Sequence, residues 1–241
     1  MGLLTSLLNL PRRLLWRIRI SRWDVGYPDP ELKYLPRLCN TEKISIDIGA
    51  AQGVYVIHLL ACSRHVEAFE PRPAAVAELT EMFSSAGVVV HSVALSDHEE
   101  NGTMVVCTTD LGRSTLEKEN PIEGVREEIQ IRTLDSFDFK NVGFIKIDVE
   151  GHELAVLNGA KATIERERPN FLIEIEERHK PGSTKSVPEL LGGMGYSGWY
   201  LLDNAWKPHS TFNANQHQRL GVDPYINNFV FIPNEKRDLL A

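Results

Sequence analysis

Short apolar runs rich in β-branched residues alternate with helical patterns along the chain beyond about residue 40. Such runs are typical of strands buried on both faces, and the stretches between them are typical of crossover helices. The pattern therefore predicts an α/β fold built on a mostly parallel sheet. The predicted parallel strands cover residues 44–48, 66–69, 88–93, 144–147 and 171–175, and helices are predicted up to about residue 62 and over 74–84 and 153–166.

The middle and the end of the chain depart from this alternation. Residues 104–108 and 128–132 are predicted to be strands of an insertion, because a polar loop separates two apolar runs there. Residues 198–202 and 228–232 are predicted to form a closing antiparallel pair. We therefore expect a helical segment over 1–40 and one domain over 41–241, with an inserted hairpin near 100–132.

Composition narrows the class of protein. The chain has 241 residues, of which 42% are hydrophobic and 24% charged, as is ordinary for a soluble globular protein. A formal net charge of -7 argues against binding to nucleic acid. The three cysteines are widely spaced and form no Cys-x-x-Cys pair, so a reducing cytoplasm is the expected location.

The N-terminal stretch is basic and amphipathic. Five arginines precede the first acidic residue, Asp24, and at helical spacing most of the leucines share one face. Pro11 interrupts this pattern and would kink or split a helix. We favour a helix that packs against the domain or forms part of a substrate lid. The alternative is peripheral membrane contact, with residues 1–22 lying on an anionic membrane surface.

The first predicted strand has an acid near its end, and two glycines follow it. Gly49 and Gly53 remove side chains where the backbone must turn and approach a ligand, and Asp47 supplies an acceptor for a ligand amine. The loop, which also contains Ala50, lacks the Gly-x-Gly-x-x-Gly pattern on which a pyrophosphate rests. This disfavours a nicotinamide-dependent oxidoreductase, because an acid would repel the anion.

A second acid ends the next predicted strand. Glu70, followed by Pro71, comes 23 residues after Asp47, and a carboxylate there can accept hydrogen bonds from both ribose hydroxyls. The third strand ends in residues that could frame an adenine ring. The spacing predicts a nucleoside cofactor, and Asp47 suits the cationic end of S-adenosylmethionine. The predicted cofactor-binding residues are Asp47, Gly49, Ala50, Gly53, Glu70, Pro71, Ser92, Val93 and Ala94.

The candidate chemical site follows the fourth parallel strand. Asp148 ends that strand, Glu150 and His152 lie in the next turn, and Glu174 ends the neighbouring strand. Methyl transfer to oxygen needs alignment and often a base, and imidazole can take a proton near neutrality. His152 is therefore the best candidate base. The alternative is that it only orders the start of the following helix.

The same carboxylates allow a second interpretation. Asp148, Glu150 and Glu174 could together bind a hard divalent cation that assists the reaction. We predict no metal site, because three carboxylates in a sequence do not establish three ligands. Lys146, within the strand, is expected to form a structural ion pair with an acid such as Glu174.

The stretch Ile145-Lys146-Ile147-Asp148-Val149-Glu150-Gly151-His152-Glu153 resembles the FkbM family of class I methyltransferases. The resemblance extends over Asp47 to Gly53, Phe69-Glu70-Pro71, Ala94-Leu95-Ser96-Asp97 and Thr133-Leu134-Asp135-Ser136. It implies a Rossmann-like seven-stranded sheet with an antiparallel last strand and helices on both faces. It also implies S-adenosylmethionine as methyl donor and a hydroxyl acceptor on a sugar, glycolipid or secondary metabolite. Ser92, where the family often has asparagine, and Ala51-Gln52 depart from its pattern.

The acceptor should contact the parts of the chain outside the shared core. These are the N-terminal segment, the 108–128 loop and residues 177–227, whose aromatic residues suit a sugar ring or an apolar aglycone but also suit an ordinary core. The aromatic residues are Trp199, Tyr200, Trp206, Phe212 and Tyr225. We expect a small-molecule or glycan acceptor and no nucleic acid partner. A non-catalytic nucleoside-binding module remains the third interpretation.

Overall fold

The structure is a computed structural model that describes residues 29–83, 87–107 and 124–240. The described part of the chain contains eleven strands. They are β1 (Ile44–Ile48), β2 (Val66–Phe69), β3 (Val88–His91), β4 (Ala94–Leu95), β5 (Glu100–Cys107), β6 (Gly124–Arg132), β7 (Val142–Ile147), β8 (Asn170–Glu174), β9 (Tyr196–Leu202), β10 (Ala205–Pro208) and β11 (Asn228–Pro233).

The helices alternate with these strands. The α-helices are α1 (Leu35–Leu38), α2 (Val54–Leu60), α3 (Pro73–Phe83), α4 (Glu153–Asn158), α5 (Lys161–Glu167), α6 (Ser183–Gly193) and α7 (Ala214–His217). Short 3₁₀ helices cover Pro30–Tyr34, Leu134–Phe137, His209–Thr211 and Asn234–Leu240.

Eight strands form the main sheet, in the order β10-β9-β11-β8-β7-β1-β2-β3. The strands from β3 to β8 in this order are parallel, which confirms the parallel pattern. Strand β11 is antiparallel to both β8 and β9, which confirms the predicted closing pair. The seven-stranded prediction was one strand short, because β10 adds an edge to β9 through a two-residue turn at Asp203 and Asn204.

Both faces of the sheet are buried. Alternate residues of one strand enter different core clusters, as Phe171 and Ile173 pack on one side and Leu172 on the other. Helices α4, α5 and α6 contribute to the first cluster, and α1, α2 and α3 to the second. This confirms helices on both faces and explains why the strands are continuous apolar runs.

The predicted insertion contains an antiparallel pair. Strands β5 and β6 pair along their length, and β4 adds to β6 in parallel, so the three form a separate small sheet. Ala94, Met104, Ile129 and Ile131 form its apolar cluster. The loop between the two long strands lies outside the described residues.

Residues 1–28 also lie outside the described part, and with them the basic amphipathic stretch. The chain is described from Asp29, and Leu35 and Leu38 of α1 pack against the second core cluster. Within the described segments, no helix has the length and apolar character needed to cross a membrane.

The single helix predicted over 153–166 is wrong, because α4 and α5 are separate helices. A Cβ at Gly159, between them, would lie 1.9 Å from the carbonyl oxygen of Ser96. The chain therefore needs glycine here, where the end of α4 contacts the residue that follows β4.

Candidate functional site

A cavity of about 260 Å³ lies beyond the carboxyl ends of β1, β2, β7 and β8. This is where an open parallel sheet binds its ligand, and the volume is close to the lower end for small-molecule pockets. All the predicted site residues line it except Gly53 and Ser92. Fold topology therefore brings the cofactor set and the chemical set to one site.

The two glycines of the first loop serve packing between elements. Gly49 has a φ of +83°, and a Cβ there would lie 1.9 Å from the carbonyl oxygen of Asp148. A Cβ at Gly53, with φ +78°, would lie 2.8 Å from the Phe83 ring of α3. Ligand approach was therefore an incomplete explanation: Gly49 lets the β1 loop contact the end of β7, and Gly53 lets the start of α2 contact α3.

Asp47 is buried, and its Oδ2 has no hydrogen-bond partner among the described residues. Burial raises the pKa of Asp47 to about 7; the Asp148 and Glu70 carboxylates add to the shift and Lys146 opposes it. A buried acceptor without a donor is unfavourable. A cationic ligand group reaching this oxygen would relieve that penalty.

Lys146 was not predicted to line the cavity. It pairs in register with Asp47 on the neighbouring strand, is buried, and places Nζ 3.4 Å from Asp148 Oδ2 and 4.8 Å from the centre of the Tyr55 ring. Burial opposes its charge, but nearby carboxylates, led by Asp148 and then Glu174, raise the pKa of Lys146 overall. The expected structural ion pair therefore exists, with Asp148 as the partner within ion-pair distance.

Glu70 has a full set of donors. Its carboxylate accepts the Ala51 N–H at 2.9 Å, the Arg72 N–H at 2.9 Å, and the Arg72 guanidinium at 2.7 Å from Nε and 3.1 Å from Nη2. These four bonds occupy the acceptor positions of a carboxylate. Ribose hydroxyls at Glu70 would therefore have to replace contacts of the Arg72 side chain.

His152 precedes α4 and lines the same cavity. The turn before it is tight: Glu150 has φ +54° and Gly151 has φ +101°. The ring contacts a buried serine, with His152 Nε2 at 2.9 Å from Ser96 Oγ. The predicted base therefore has a defined hydrogen-bond partner that comes from the segment after β4.

Glu150 contacts a histidine that the sequence did not single out. His179 Nδ1 lies 3.0 Å from Glu150 Oε2, and His179 is buried. Burial opposes the charged imidazole, but Glu150 outweighs it and raises the pKa of His179. The two residues are far apart in sequence, so spacing could not reveal the pair.

Glu174 is a cavity acid with a raised pKa. Burial, and then the nearby Asp148 charge, raise the pKa of Glu174 well above its ordinary value, whereas Glu176 is held charged by hydrogen bonds from Arg178 and Tyr225. Burial therefore favours the neutral form of Glu174. Among the described residues, no group of three or more histidines, cysteines or acids has an arrangement that would bind a metal ion.

Most of the aromatic residues considered for acceptor binding belong to the core. Tyr200 and Phe212 pack in one core cluster, and Trp199 and Trp206 pack against the other. Tyr225 differs, because its hydroxyl donates a hydrogen bond to Glu176, next to Glu174 of the cavity. Of this set, Tyr225 is the residue that connects with the chemical site.

The residues present fit S-adenosylmethionine. The buried, unpartnered oxygen of Asp47 suits its ammonium group, and the Glu70 carboxylate, directly after the neighbouring strand, suits ribose hydroxyls. Apolar lining from Phe69, Val93 and Ala94 suits an adenine ring. A pyrophosphate would instead meet the charge of these acids.

Comparisons with known proteins show the family to which the chain belongs. The model of the methyltransferase FkbM domain matches residues 47–197, which is more than half of the chain. An FkbM methyltransferase from Methylobacillus flagellatus KT is similar in structure, with 17% identity, a TM-score of 0.54, and coverage of 80% of this chain and 44% of that one. The chain thus spans less than half of that protein.

Weaker structural similarity is found to an rRNA methylase from Streptococcus thermophilus. It has 12% identity, a TM-score of 0.48, and coverage of 84% of this chain and 93% of that one. No curated protein sequence matches the chain.

The family match covers both halves of the cavity, from Asp47 near the end of β1 to His152 before α4. The chain therefore belongs to the FkbM family of methyltransferases, and its methyl donor is S-adenosylmethionine.

Proposed function

We propose that this protein is an O-methyltransferase that acts on a hydroxyl group of a sugar, glycolipid or secondary metabolite. The observation that carries the proposal is that His152 lines the same cavity as Asp47 and Glu70. A group able to take a hydroxyl proton therefore lies at the site predicted to bind the methyl donor.

When bound, S-adenosylmethionine supplies a methyl group on a positively charged sulfur. Asp47 and Glu70 would hold its ammonium and ribose, and His152 would accept the proton of the acceptor hydroxyl. His152 would thereby carry the positive charge that the sulfur loses when its bond to the methyl carbon breaks and the acceptor oxygen gains that carbon. Asp148 and its partner Lys146 would align the acceptor, because alignment contributes much of the rate of such a displacement.

The charge of the cavity favours a neutral acceptor. Besides the buried Asp47 and Glu174, whose pKa values are raised, its described lining includes the acids Glu70, Asp148 and Glu150, together with one arginine, Arg72, and one lysine, Lys146. An acceptor carrying phosphate or carboxylate would be repelled. A neutral hydroxyl of a sugar or natural product avoids this repulsion, and the acidic chain as a whole favours such an acceptor over nucleic acid.

The test is to incubate the protein with methyl-labelled S-adenosylmethionine and extracts of its own cells. We expect a labelled product heavier by one methylene, together with S-adenosylhomocysteine, and the label should reside in a methyl ether. Label in a methylamine would contradict transfer to oxygen. Formation of neither product would favour the non-catalytic binding module.

The role of His152 is tested by substitution in the same assay. We expect His152→Ala to lower turnover about 100-fold, the usual contribution of a positioned base, with cofactor affinity retained. His217→Ala is the control, because His217 stacks on Phe212 and does not line the cavity. Unchanged turnover in His152→Ala would contradict the assignment of the base.

A further inference from the structure

The hydrogen bonds around Ser96 form a short chain that ends on the proposed base. Ser96 is fully buried, and its Oγ lies 2.9 Å from His152 Nε2. On its other side, the hydroxyl donates to Asp97 Oδ1 at 3.2 Å. Three residues thus connect the cavity to the surface, where the Asp97 side chain is about half exposed (51%).

The direction of these bonds follows from the chemistry of the groups. A hydroxyl has one proton to donate, and an ionised carboxylate can only accept. Hydrogen bonding from His98 is the main cause of a lowered pKa of Asp97, so Asp97 is ionised at neutral pH. His98 Nδ1 also lies 3.4 Å from Ser96 Oγ, but this nitrogen donates to Asp97 at 2.7 Å and so does not accept the Ser96 proton. The anionic acceptor, Asp97, takes that proton, so the bond between Ser96 and His152 is donated by the imidazole.

We propose that Ser96, oriented by Asp97, is a positioning residue that holds neutral His152 in the tautomer protonated at Nε2. The basic nitrogen of the ring is then Nδ1. This inference rests on the proposed role of His152 as base. In the reaction, Nδ1 would gain the proton of the acceptor hydroxyl while Nε2 keeps its own. The resulting imidazolium would donate from Nε2 to the Ser96 hydroxyl, which in turn donates to the Asp97 carboxylate.

The backbone around Ser96 fixes its position. Its N–H donates to the Arg132 carbonyl at 2.9 Å, which ties the segment after β4 to β6. A Cβ at Gly159 would lie only 1.9 Å from the Ser96 carbonyl oxygen, so the end of α4 packs directly against this carbonyl. Since His152 starts the same helix, the two sides of the hydrogen bond are held by one packed unit.

The tautomer can be observed directly without a known acceptor. In protein labelled with ¹⁵N at histidine, two-bond proton–nitrogen spectra distinguish a protonated ring nitrogen from an unprotonated one. At about pH 8.5, well above the ordinary histidine pKa, we expect His152 to be protonated at Nε2. The His152 signals are assigned from their loss in His152→Gln.

Three variants separate positioning from a general structural effect. Ser96→Ala should give averaged His152 nitrogen shifts, whereas Ser96→Thr, which keeps a hydroxyl, should restore the Nε2-protonated pattern. Ser45→Ala is the matched control, because Ser45 is also a buried serine but bonds Ser63, outside the cavity. Binding of S-adenosylhomocysteine with unchanged affinity would show that each variant is folded.

Either of two results would overturn the inference: protonation of His152 at Nδ1 in the unsubstituted protein, or unchanged shifts in Ser96→Ala. A separate measurement, turnover with the acceptor from the cell extract, tests whether His152 is the base. If His152 is the base, Ser96→Ala should lower turnover about 10- to 100-fold, and should lower it no further in a His152→Ala background. If His152→Ala turns over normally, the base is wrong and Ser96 has no role in the reaction.

Discussion

At the scale of single residues, a buried carboxylate is stable only where a cation or a hydrogen-bond donor reaches it. The two acids of the cofactor cavity meet this requirement differently. Glu70 is held by Ala51 and Arg72, whereas one oxygen of Asp47 has no partner among the described residues. A cationic ligand would therefore stabilise the ionised form of Asp47 more than that of Glu70.

This difference predicts that cofactor binding releases a proton from Asp47. Asp47 has a pKa raised to about 7, and an ammonium group binds only its ionised form, so binding should release a proton. We expect the affinity for S-adenosylhomocysteine to rise about 3- to 10-fold between about pH 6 and pH 8. Calorimetry in buffers of different ionisation enthalpy measures both the affinity and the released proton.

The control for the linked proton is Asp47→Asn, which keeps the shape of the side chain but cannot ionise. It should bind S-adenosylhomocysteine more weakly and with the same affinity at both pH values. Equal affinity of the unsubstituted protein at the two pH values would remove Asp47 as the partner of the ammonium group.

Glu70→Ala tests the ribose position. We expect S-adenosylhomocysteine to bind about 10- to 100-fold more weakly, because charge-assisted hydrogen bonds to the ribose are lost and the Ala51 N–H loses its partner. Glu67→Ala is the control: Glu67 is a buried acid on β2, the strand directly before Glu70, and it bridges His65 and His91 and does not line the cavity. Calorimetry should give it an affinity within about twofold of the unsubstituted protein. Similar losses in both variants would point to damage of β2 instead.

At the scale of elements, the strands were predictable because burial on both faces makes them continuous apolar runs. The added strand β10 was missed because it is short and sits at the edge, where its four residues are intermediate or exposed. Its signal was the Asp203-Asn204 pair, whose φ values of +52° and +59° match a hairpin turn that favours such residues. The break between α4 and α5 was missed because it depends on contact with Ser96, remote in sequence.

Alanine substitutions at two glycines compare the cost of backbone strain with the cost of a clash between elements. Gly49 and Gly182 have φ of +83° and +85°, but a Cβ at Gly182 has nothing within 4 Å. Gly182→Ala should therefore show only the strain of a left-handed residue, about 1–2 kcal/mol. Gly49→Ala adds a clash with the Asp148 carbonyl and should lower the melting temperature further, by at least about 5 °C relative to Gly182→Ala.

Thermal unfolding of both variants measures the difference, and binding of S-adenosylhomocysteine provides a second observable. We expect Gly49→Ala to bind poorly where folded, since the displaced loop lines the cavity directly after Asp47, and Gly182→Ala to bind normally. Equal melting temperatures would mean that the contact between the β1 loop and the end of β7 contributes nothing to stability.

At the scale of the whole molecule, the site forms where remote segments meet at one edge of the sheet. The sequence indicated most of the lining because residues at the carboxyl ends of parallel strands share that edge. It could not indicate Lys146, whose place depends on its register with Asp47, or Arg72, which acts through Glu70. His179 reaches Glu150 from after β8, and no spacing rule covers such a contact.

The fold also contains buried acids whose charging opposes stability. Glu153, at the start of α4, is buried and accepts the Gly151 N–H at 2.8 Å; burial raises the pKa of this carboxyl to about 7 in spite of that bond. Because the folded pKa is above the unfolded value of 4.5, the contribution to stability is complete below about pH 4.5 and is lost as pH rises through about 7. Glu153→Gln keeps the acceptor and removes the ionisation.

We therefore expect Glu153→Gln to gain stability relative to the unsubstituted protein as pH rises from about 5.5 to 8, by roughly 5 °C in melting temperature. Glu235→Gln is the control, because its pKa of about 2, lowered mainly by a hydrogen bond from Arg168, leaves it ionised throughout this range. Its difference from the unsubstituted protein should stay constant with pH. Thermal unfolding of ligand-free protein at the two pH values decides the matter, and a constant difference for Glu153→Gln would mean that this carboxyl is already ionised at pH 5.5.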